Sequence, residues 1–541
     1  MSIIKLPRLI SDGVIFQRNK KILAWGWTDS EDNCIEAELN GIRNKATLSN
    51  DGEIRFDITF DAMPAGGPYE LKFYLNGKEE VSVKDVMIGD VLLLSGQSNI
   101  EFPMSRVLES YPEELISPDN SMIRTFKVIE NRVFDKPVKD NTTGSWVNVT
   151  KDSLPDYSAI GYFAAKKIYE KEQIAVGLIN TTFGGATIEC WMGRDMFADD
   201  PETLKEWELY NNSEYLENIL KKNEETDKEW FGLLNKTDEG LLQKWYLTDT
   251  DTSDWKEITL PCYLREYKEL EKFNGSMWLK KKFVANKDMC DSECSLWFGT
   301  IIDADVIYVN GEEVGRTEYC YPPRRYQIRK GLLKEGENEI TLNLKVEKFG
   351  GRITKGKVYG IFTGNVKRDT DGFNESVIGA QNFTALDGEW KYKIGTLMPR
   401  REDVVFVSWK PSALYNGMLA PCTNMNIKAV VWYQGESNAE AWEKYYNQFN
   451  NLVEGYRKDW RDSSLPFIFL QLPEYMDAAG SPETGDKYVI DWVDMMEVQK
   501  KCLEIHDTYM VETLGTGEYN DLHPQRKKGV GEKIADVVIK L

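Results

Sequence analysis

Residues 90–99, DVLLLSGQSN, form an apolar run that ends in a polar loop containing a glycine. The same plan recurs in AVGLINTTFGG (175–185), AVVWYQGESN (429–438) and PFIFLQLPEY (466–475). Apolar runs of this length, without alternation, are typical of strands buried on both faces of a parallel sheet. Helical patterns such as SAIGYFAAKKIYEKE (158–172) lie between or after these runs. The sequence therefore predicts an α/β domain.

Two other regions consist of short alternating runs separated by Gly, Asn and Asp. Residues 1–88 include GEIRFDITF (52–60), and this pattern predicts an N-terminal β-sandwich. Residues 244–395 interrupt the α/β pattern and predict a second, inserted β-sandwich, because chain entry and exit can be close together on a domain surface. The predicted division is an N-terminal β domain (1–88), an α/β domain in two parts (89–243 and 396–541) and an inserted β domain (244–395).

Length and charge narrow the class of protein. A chain of 541 residues is too long for one hydrophobic core. Its net charge of −21 disfavours nucleic acid and anionic membranes as partners. No apolar run approaches the ~20 residues that cross a bilayer, and the start of the chain lacks a signal pattern. We expect a cytoplasmic protein as given; a secreted or periplasmic location stays open if a signal was removed, and the oligomeric state is not predicted.

The cysteines give no sign of a metal or disulfide framework. Of the eight cysteines, only Cys290 and Cys294 are close in sequence, and no second pair or nearby histidine completes a four-ligand zinc set. Cystine-dense scaffolds belong to short secreted chains. We therefore predict free thiols, no metal and no cofactor.

Ligands of an open parallel sheet bind beyond the carboxyl ends of its strands, so the loops after the apolar runs are the places to search. Ser98 follows the first run and is a candidate hydroxyl nucleophile, although a serine in this place is often only a helix N-cap. The other polar or small residues of these loops are Gly96, Gln97, Asn99, Gly184, Gly185, Ala186, Thr187, Gln434, Gly435, Glu436, Ser437 and Asn438.

A hydroxyl nucleophile needs a base, and the chain has only two histidines. His506 falls at a predicted helix end before a strand, where a surface or capping role is ordinary. His523 lies in a polar loop beside Asp521, and a neighbouring carboxylate can orient and support an imidazole. The sequence favours His523 as the base.

Small residues at Gly184 and Gly185 would let backbone N–H groups approach a substrate oxygen closely. Together with the side-chain amide of Gln434 they could form an oxyanion hole. The alternatives are a simple turn for the glycine pair and an ordinary polar loop around Gln434.

At these motifs the chain resembles the sialate O-acetylesterase family, a branch of the SGNH hydrolase superfamily. The resemblance is carried by GDVLLLSGQSNIEFPM (89–104), GLINTTFGGATIECWM (177–192), VVWYQGESNA (430–439) and DLHPQRKKGVGEKIA (521–535). It implies an α/β fold of the SGNH-type three-layer α/β/α class, with an N-terminal β-sandwich and an inserted jelly-roll-like, galactose-binding-like β-sandwich.

The resemblance also implies residue roles: nucleophile Ser98, general base and acid His523, and orienting carboxylate Asp521. The superfamily's usual acid lies three residues before the histidine, where this chain has Asn520. Glu436, or a Ser–His dyad oriented by a backbone carbonyl, is therefore the alternative to Asp521. The implied oxyanion and substrate-binding residues are the Ser98 amide, Gly184, Gly185, Gln434, Gln97, Asn99 and Glu436.

The implied function is a serine esterase that removes acetyl groups from O-acetylated carbohydrate. The substrate stays open between 9-O-acetyl sialic acid, for which a local Arg194 could bind the carboxylate, and acetylated plant glycans such as xylan or xyloglucan. A non-catalytic carbohydrate-binding protein is the alternative of another class. A lipase is disfavoured because GxSxG does not occur around Ser98. Aromatic side chains that could stack on sugars are Trp278, Tyr319, Tyr321 and Tyr326.

Overall fold

The structure, a computed structural model, describes residues 3–475 and 487–541, the side chains of 487–490 excepted. The chain forms two compact units. The first unit comprises Met1–Leu216, Phe406–Gly517 and His523–Leu541, and the second comprises Glu217–Val405 and Glu518–Leu522. In this division the N-terminal strands and the α/β strands share one unit; the finer division into four segments stays a prediction.

Strands occur in both units. In chain order they are β1 (Ile4–Lys5), β2 (Ile15–Gln17), β3 (Ile22–Thr28), β4 (Ile35–Leu39), β5 (Ile42–Lys45), β6 (Thr47–Asn50), β7 (Ile54–Phe60), β8 (Gly66–Leu75), β9 (Lys78–Gly96), β10 (Asn120–Lys127), β11 (Trp146–Val149), β12 (Ala175–Asn180), β13 (Lys256–Leu260), β14 (Gly275–Ala285), β15 (Cys294–Phe298), β16 (Ile301–Ile302), β17 (Ala304–Val309), β18 (Glu312–Thr317), β19 (Arg325–Ile328), β20 (Gly336–Val346), β21 (Arg352–Ile353), β22 (Tyr359–Thr363), β23 (Lys367–Thr370), β24 (Glu375–Ile378), β25 (Gln381–Ala385), β26 (Gly388–Leu397), β27 (Ala429–Tyr433), β28 (Phe467–Leu470) and β29 (Thr508–Val511).

Helices occur in both units. They are α1 (Ser98–Glu101), α2 (Ala159–Glu172), α3 (Pro201–Tyr210), α4 (Ser213–Thr237), α5 (Glu239–Leu242), α6 (Lys287–Cys290), α7 (Trp442–Trp460), α8 (Lys487–Lys501) and α9 (Lys527–Val538). Short 3-10 turns include Ile188–Trp191, Val407–Trp409 and Glu436–Ala441. Within the part of the chain that the structure describes, no helix has the length and apolar character needed to cross a membrane.

The central sheet of the first unit confirms a mixed α/β fold. Its strands run in the order β11, β10, β12, β9, β27, β28, β29. All neighbours from β10 to β29 are parallel, and β11 is antiparallel at the edge. The four apolar runs of the sequence form the last part of β9 and the strands β12, β27 and β28. The residues of these strands from position 89 onward are buried. Their carboxyl ends therefore meet at one edge of the sheet.

Strand β9 joins the N-terminal strands to this sheet. Its first part pairs antiparallel with β8, and its last part pairs in parallel with β12 and β27. Strand β9 is also where the strand order reverses, since β10 and β12 lie on one side of it and β27, β28 and β29 on the other. Ligands of open α/β sheets bind at such a reversal. The topology thus directs attention to the loop that follows β9.

The second unit is mostly antiparallel. One sheet has the order β13, β26, β14, β20, β17, β18, and another has the order β19, β15, β22, β25. Buried aliphatic and aromatic side chains from both sheets, among them Leu279, Leu296 and Leu342, belong to one hydrophobic cluster. Trp278 is fully buried and donates through Nε1 to Asp238 Oδ1 at 2.9 Å.

Candidate active site

The loop after β9 is shaped by a glycine that no other residue could replace without strain. Gly96 has φ +125°, and a Cβ on it would lie 2.2 Å from the carbonyl oxygen of Tyr433 on β27. The next backbone N–H, that of Gln97, donates to the same carbonyl at 2.9 Å. The chain then turns into α1, whose first residue is Ser98. Close approach of β9 to β27 therefore fixes the half-buried Ser98 at the carboxyl edge of the sheet.

Ser98 and His523 lie side by side although 425 positions separate them in the chain. Ser98 Oγ is 2.8 Å from His523 Nε2, which is within proton-transfer reach. The histidine belongs to the loop before α9 and is only 6% exposed. Its ring stacks on Phe102, with centroids 5.8 Å apart and planes 10° from parallel. The imidazole is thus held in one orientation, directed at the hydroxyl.

The surroundings of His523 favour its neutral form. Burial lowers the pKa of the imidazole to about 3, and the positive charges of Lys527 and Arg106 act in the same direction. A neutral imidazole at pH 7 can accept a proton from a hydroxyl group. The site therefore has the protonation state that a general base needs.

A buried polar chain lies beside this pair. Lys527 Nζ donates to Asn99 Oδ1 at 2.5 Å, and Asn99 Nδ2 donates to Glu436 Oε1 at 2.6 Å. Burial raises the pKa of the Glu436 carboxyl, while the hydrogen bond from Asn99 opposes this shift. Asn99 and Glu436, both predicted substrate-binding residues, thus bind each other and connect the loops after β9 and β27.

Gly184 lies against Ser98, and Gly185 lies against Trp409. A Cβ on Gly184 would be 3.9 Å from Ser98 Cβ and 3.1 Å from Glu101 Oε2. Gly185 has φ +70°, and a Cβ there would lie 2.0 Å from Cζ2 of Trp409. Trp409 Nε1 also donates to the Gly184 carbonyl at 2.9 Å. Gly185 therefore needs to be glycine in order to admit an indole ring, whereas Gly184 lies close to Ser98 and Glu101.

Three loops are tied together by hydrogen bonds from Ser437. Its backbone N–H donates to Gln97 Oε1 at 3.2 Å, and its hydroxyl donates to the Gly185 carbonyl at 2.9 Å. Gln97 is 2% exposed. The buried Gln97 side chain thus connects the loop after β9 to the loop after β27.

Gln434 is placed differently from the sequence-based expectation of an oxyanion donor. Its side chain is fully buried, and Nε2 donates to Asn438 Oδ1 at 2.6 Å and to the Ala186 carbonyl at 3.3 Å. Asn438 in turn donates to Glu189. Since an amide nitrogen has two hydrogens, both are already engaged. Gln434 braces the glycine loop through Ala186, and its role as an oxyanion donor stays a prediction.

Asp521 belongs to the second unit. Its Oδ2 lies 3.5 Å from Lys357 Nζ, and Lys357 also lies 3.3 Å from Glu518. Glu518 forms a buried ion pair with Arg368 at 2.6 Å. The contact described for Asp521 is therefore with a cation, and its role as the orienting carboxylate stays a prediction.

His506, the other histidine, lies on the surface. Its side chain is 61% exposed, with Nδ1 3.1 Å from Asp507 Oδ2 and Nε2 3.0 Å from Arg457 Nη1. The sequence-based preference for His523 agrees with this placement, because only His523 contacts the hydroxyl of Ser98.

The residues suggested for sugar contacts differ in exposure. Trp278 is fully buried, so the hypothesis that it stacks on a sugar is wrong. Tyr326 is half-buried and hydrogen-bonds Thr317, whereas Tyr319 and Tyr321 are exposed in the second unit. Arg194 lines a separate cavity of about 450 Å³ in the first unit, whose lining includes no predicted catalytic residue.

Three residues of the site escaped the sequence analysis: Glu101, Trp409 and Lys527. Glu101 stands three positions after Ser98, and residues three apart share one face of a helix. This spacing could have identified Glu101 as a neighbour of Ser98. Lys527 stands four positions after His523, but no pattern marks it as buried. Trp409 comes from a segment without a recognisable motif, and only the tertiary fold brings it to the glycine pair.

The site and fold point to carbohydrate esterases as the class that the chain resembles. Residues 403–540 match the family model described as "Carbohydrate esterase, sialic acid-specific acetylesterase". A solved carbohydrate acetylesterase from Xanthomonas citri aligns with 98% of this chain and 74% of its own, with a TM-score of 0.56 and 20% identity. This structural likeness concerns the fold.

Curated relatives carry a more particular name. Sialate O-acetylesterase of Mus musculus is 27% identical over 164 residues, covering 28% of this chain and 30% of the relative. The Homo sapiens protein of the same name is 27% identical over 154 residues, covering 26% and 29%. The chain thus spans less than a third of these relatives' length. The resemblance to sialate O-acetylesterases is confirmed, and these similarities support the prediction of an esterase.

Proposed function

We propose that this protein is a serine O-acetylesterase acting on acetylated carbohydrate. The observation that carries the proposal is the 2.8 Å contact between Ser98 Oγ and His523 Nε2. Its place at the reversal point of the parallel sheet and the names of the relatives support an acetyl ester of a sugar as the substrate. The proposed fold class is the SGNH-type three-layer hydrolase with two accessory β-sandwiches.

The first half of the proposed reaction acylates Ser98. Its Oγ attacks the acetyl carbonyl carbon while its proton passes to His523 Nε2. The tetrahedral oxyanion accepts hydrogen bonds from the Ser98 amide and from an amide of the Gly184–Gly185 pair. Collapse of this intermediate breaks the ester bond, and His523 returns the proton to the departing sugar hydroxyl.

The second half releases acetate. Water gives a proton to His523 Nε2 and attacks the acetyl carbon, and the collapsing intermediate expels Ser98 Oγ, which regains the proton. Asp521 is the proposed orienter of the imidazole, because it lies two positions before His523. Gln434 acts indirectly by bracing the glycine loop.

The test is acetate release across a panel of 9-O-acetyl sialic acid, acetylated xylo-oligosaccharides, acetylated xyloglucan and ethyl acetate. We expect release from at least one acetylated sugar, none by Ser98→Ala, and an acetyl adduct on Ser98 after rapid quenching. Binding of these sugars without any acetate release would instead identify a carbohydrate-binding protein.

A further inference from the structure

An exposed aromatic ring lies next to the glycine pair. Phe406 is 49% exposed, and its ring stacks on Trp409 with centroids 4.0 Å apart and planes 19° from parallel. One face of the Phe406 ring is thus supported by an indole, which leaves its other parts accessible. We call Phe406 and Trp409 the aromatic shelf.

The aromatic shelf is fastened to the loop beside the nucleophile. Trp409 donates to the Gly184 carbonyl at 2.9 Å, and the Trp409 carbonyl accepts from Thr187 Oγ1 at 2.8 Å. The indole also occupies the space where Gly185 would carry a side chain. Because Gly184 itself adjoins Ser98, the shelf has a fixed position relative to the hydroxyl.

Polar groups lie close to the residues of the shelf and to Gly184. Glu101 Oε2 lies on the Ser98 side of Gly184, at 3.1 Å from the position of a Cβ there. Ser408, between the two shelf residues, donates to Glu130. Ligand sites typically combine aromatic surface with a few placed polar groups, and a sugar ring presents both an apolar C–H face and hydroxyl groups.

We propose that the aromatic shelf binds the apolar face of the sugar ring that carries the acetyl ester, with Glu101 hydrogen-bonded to a hydroxyl group of that sugar. This inference rests on the proposed function. It places the sugar over Phe406 with its acetyl group directed past Gly184 to Ser98.

The charges beside the shelf favour an uncharged sugar. Burial raises the pKa of the Glu101 carboxyl, the Lys127 cation opposes this shift, and the Glu130 carboxylate adds to it. Even with Glu101 uncharged, Lys127 is balanced by Glu130, so these groups give an anionic sugar no net attraction. An acetylated xylo-oligosaccharide is therefore the expected better substrate, compared with 9-O-acetyl sialic acid.

The first experiment compares two replacements of Phe406, one that removes the aromatic ring and one that keeps it. Phe406→Leu keeps an apolar side chain without an aromatic face, and Phe406→Tyr keeps the face. For an acetylated xylo-oligosaccharide, we expect KM to rise about tenfold in Phe406→Leu, with a smaller change in kcat, and to stay near wild type in Phe406→Tyr. The ratio of kcat/KM for this sugar to that for ethyl acetate should fall in Phe406→Leu.

A matched control is Phe383→Leu. Phe383 is 47% exposed and stacks on Phe362 in the second unit, so it is likewise an exposed phenylalanine beside a second aromatic ring. We expect its KM to be unchanged. Equal KM values for Phe406→Leu and wild type, or a rise in Tyr319→Ala alone, would overturn the proposal and assign sugar binding elsewhere.

Direct binding separates this inference from the proposed function. In a Ser98→Ala background, calorimetry should show a Kd for the acetylated xylo-oligosaccharide that weakens about tenfold when Phe406→Leu is added, and severalfold with Glu101→Gln. Absence of acetate release by wild type with a shelf-dependent Kd would refute the esterase alone. Acetate release with a Kd independent of Phe406 would refute the shelf alone.

Discussion

The loops that carry His506 and His523 differ in what surrounds the imidazole. His506 is 61% exposed and has a carboxylate, Asp507, at 3.1 Å. His523 is buried, stacks on Phe102 and contacts Ser98, and the groups that act on its charge are the cations Lys527 and Arg106. The difference that the structure shows between the two histidines is the burial of His523 next to the hydroxyl of Ser98.

The largest expected effect is on kcat, and its absence would contradict the distinction between the two histidines. His523→Ala or Ser98→Ala should lower kcat for acetate release by about 10⁴-fold or more, because both lose the proton transfer. His506→Ala should stay within about twofold of wild type, as surface changes usually do. Comparable losses in the two histidine variants, measured on the same substrate, would contradict the assignment.

The next effect concerns the two carboxylates. Asp521→Asn should lower kcat by about 10²-fold or more if Asp521 supports the imidazolium of His523. Asp507→Asn is its matched control at the other histidine and should leave kcat unchanged. Wild-type activity in Asp521→Asn would favour a Ser98–His523 dyad oriented by a backbone carbonyl.

A pH profile sharpens the comparison further. Since burial and two cations lower the pKa of His523 to about 3, the acid limb of kcat/KM should lie well below pH 6.5. Lys527→Gln removes one of these charges and should move the acid limb upward by roughly one pH unit. Lys528→Gln changes the neighbouring, half-exposed lysine and should leave the acid limb in place. An equal shift of the acid limb in Lys528→Gln would attribute the effect to general surface charge.

The smallest expected effect is on stability. The folded state disfavours protonation of His523. The stability that depends on a neutral imidazole is therefore fully present above pH 6.5 and is lost as pH falls toward 3. Between pH 7.5 and 5 this amounts to about 2 kcal/mol, or a few degrees in Tm. The decrease in Tm over this range should therefore be smaller in His523→Gln than in wild type. Calorimetry of His506→Gln should show the wild-type decrease.

The sequence predicted the strands of the central sheet well because their apolar runs are unbroken. Strands β9, β12, β27 and β28 all coincide with such runs, and the edge that they share follows from parallel order. The length of β9 was not predictable in this way, because its first part alternates and reads as a separate short strand. Only pairing with β8 and then with β12 makes the two parts one strand.

The residues of the candidate site that lie in recognisable motifs were predictable from the sequence. Ser98 and His523 come from recognisable loops, and the structure brings them together. The place of Gln434 was not predictable, since its hydrogens go to Asn438 and Ala186, which only the fold brings within reach. Lys527 escaped for a similar reason, because a lysine at the start of a helix ordinarily lies in solvent.

Strand β9 has a practical consequence for anyone who wishes to shorten this protein. Cutting the chain at residue 88, where the β and α/β patterns meet, would divide a 19-residue strand in its middle. It would also remove β2, which pairs with Met87–Gly89. The remaining half-strand leads directly to Gly96 and Ser98. The N-terminal strands are thus part of the scaffold that anchors Ser98, and a shortened version of this protein has to retain them.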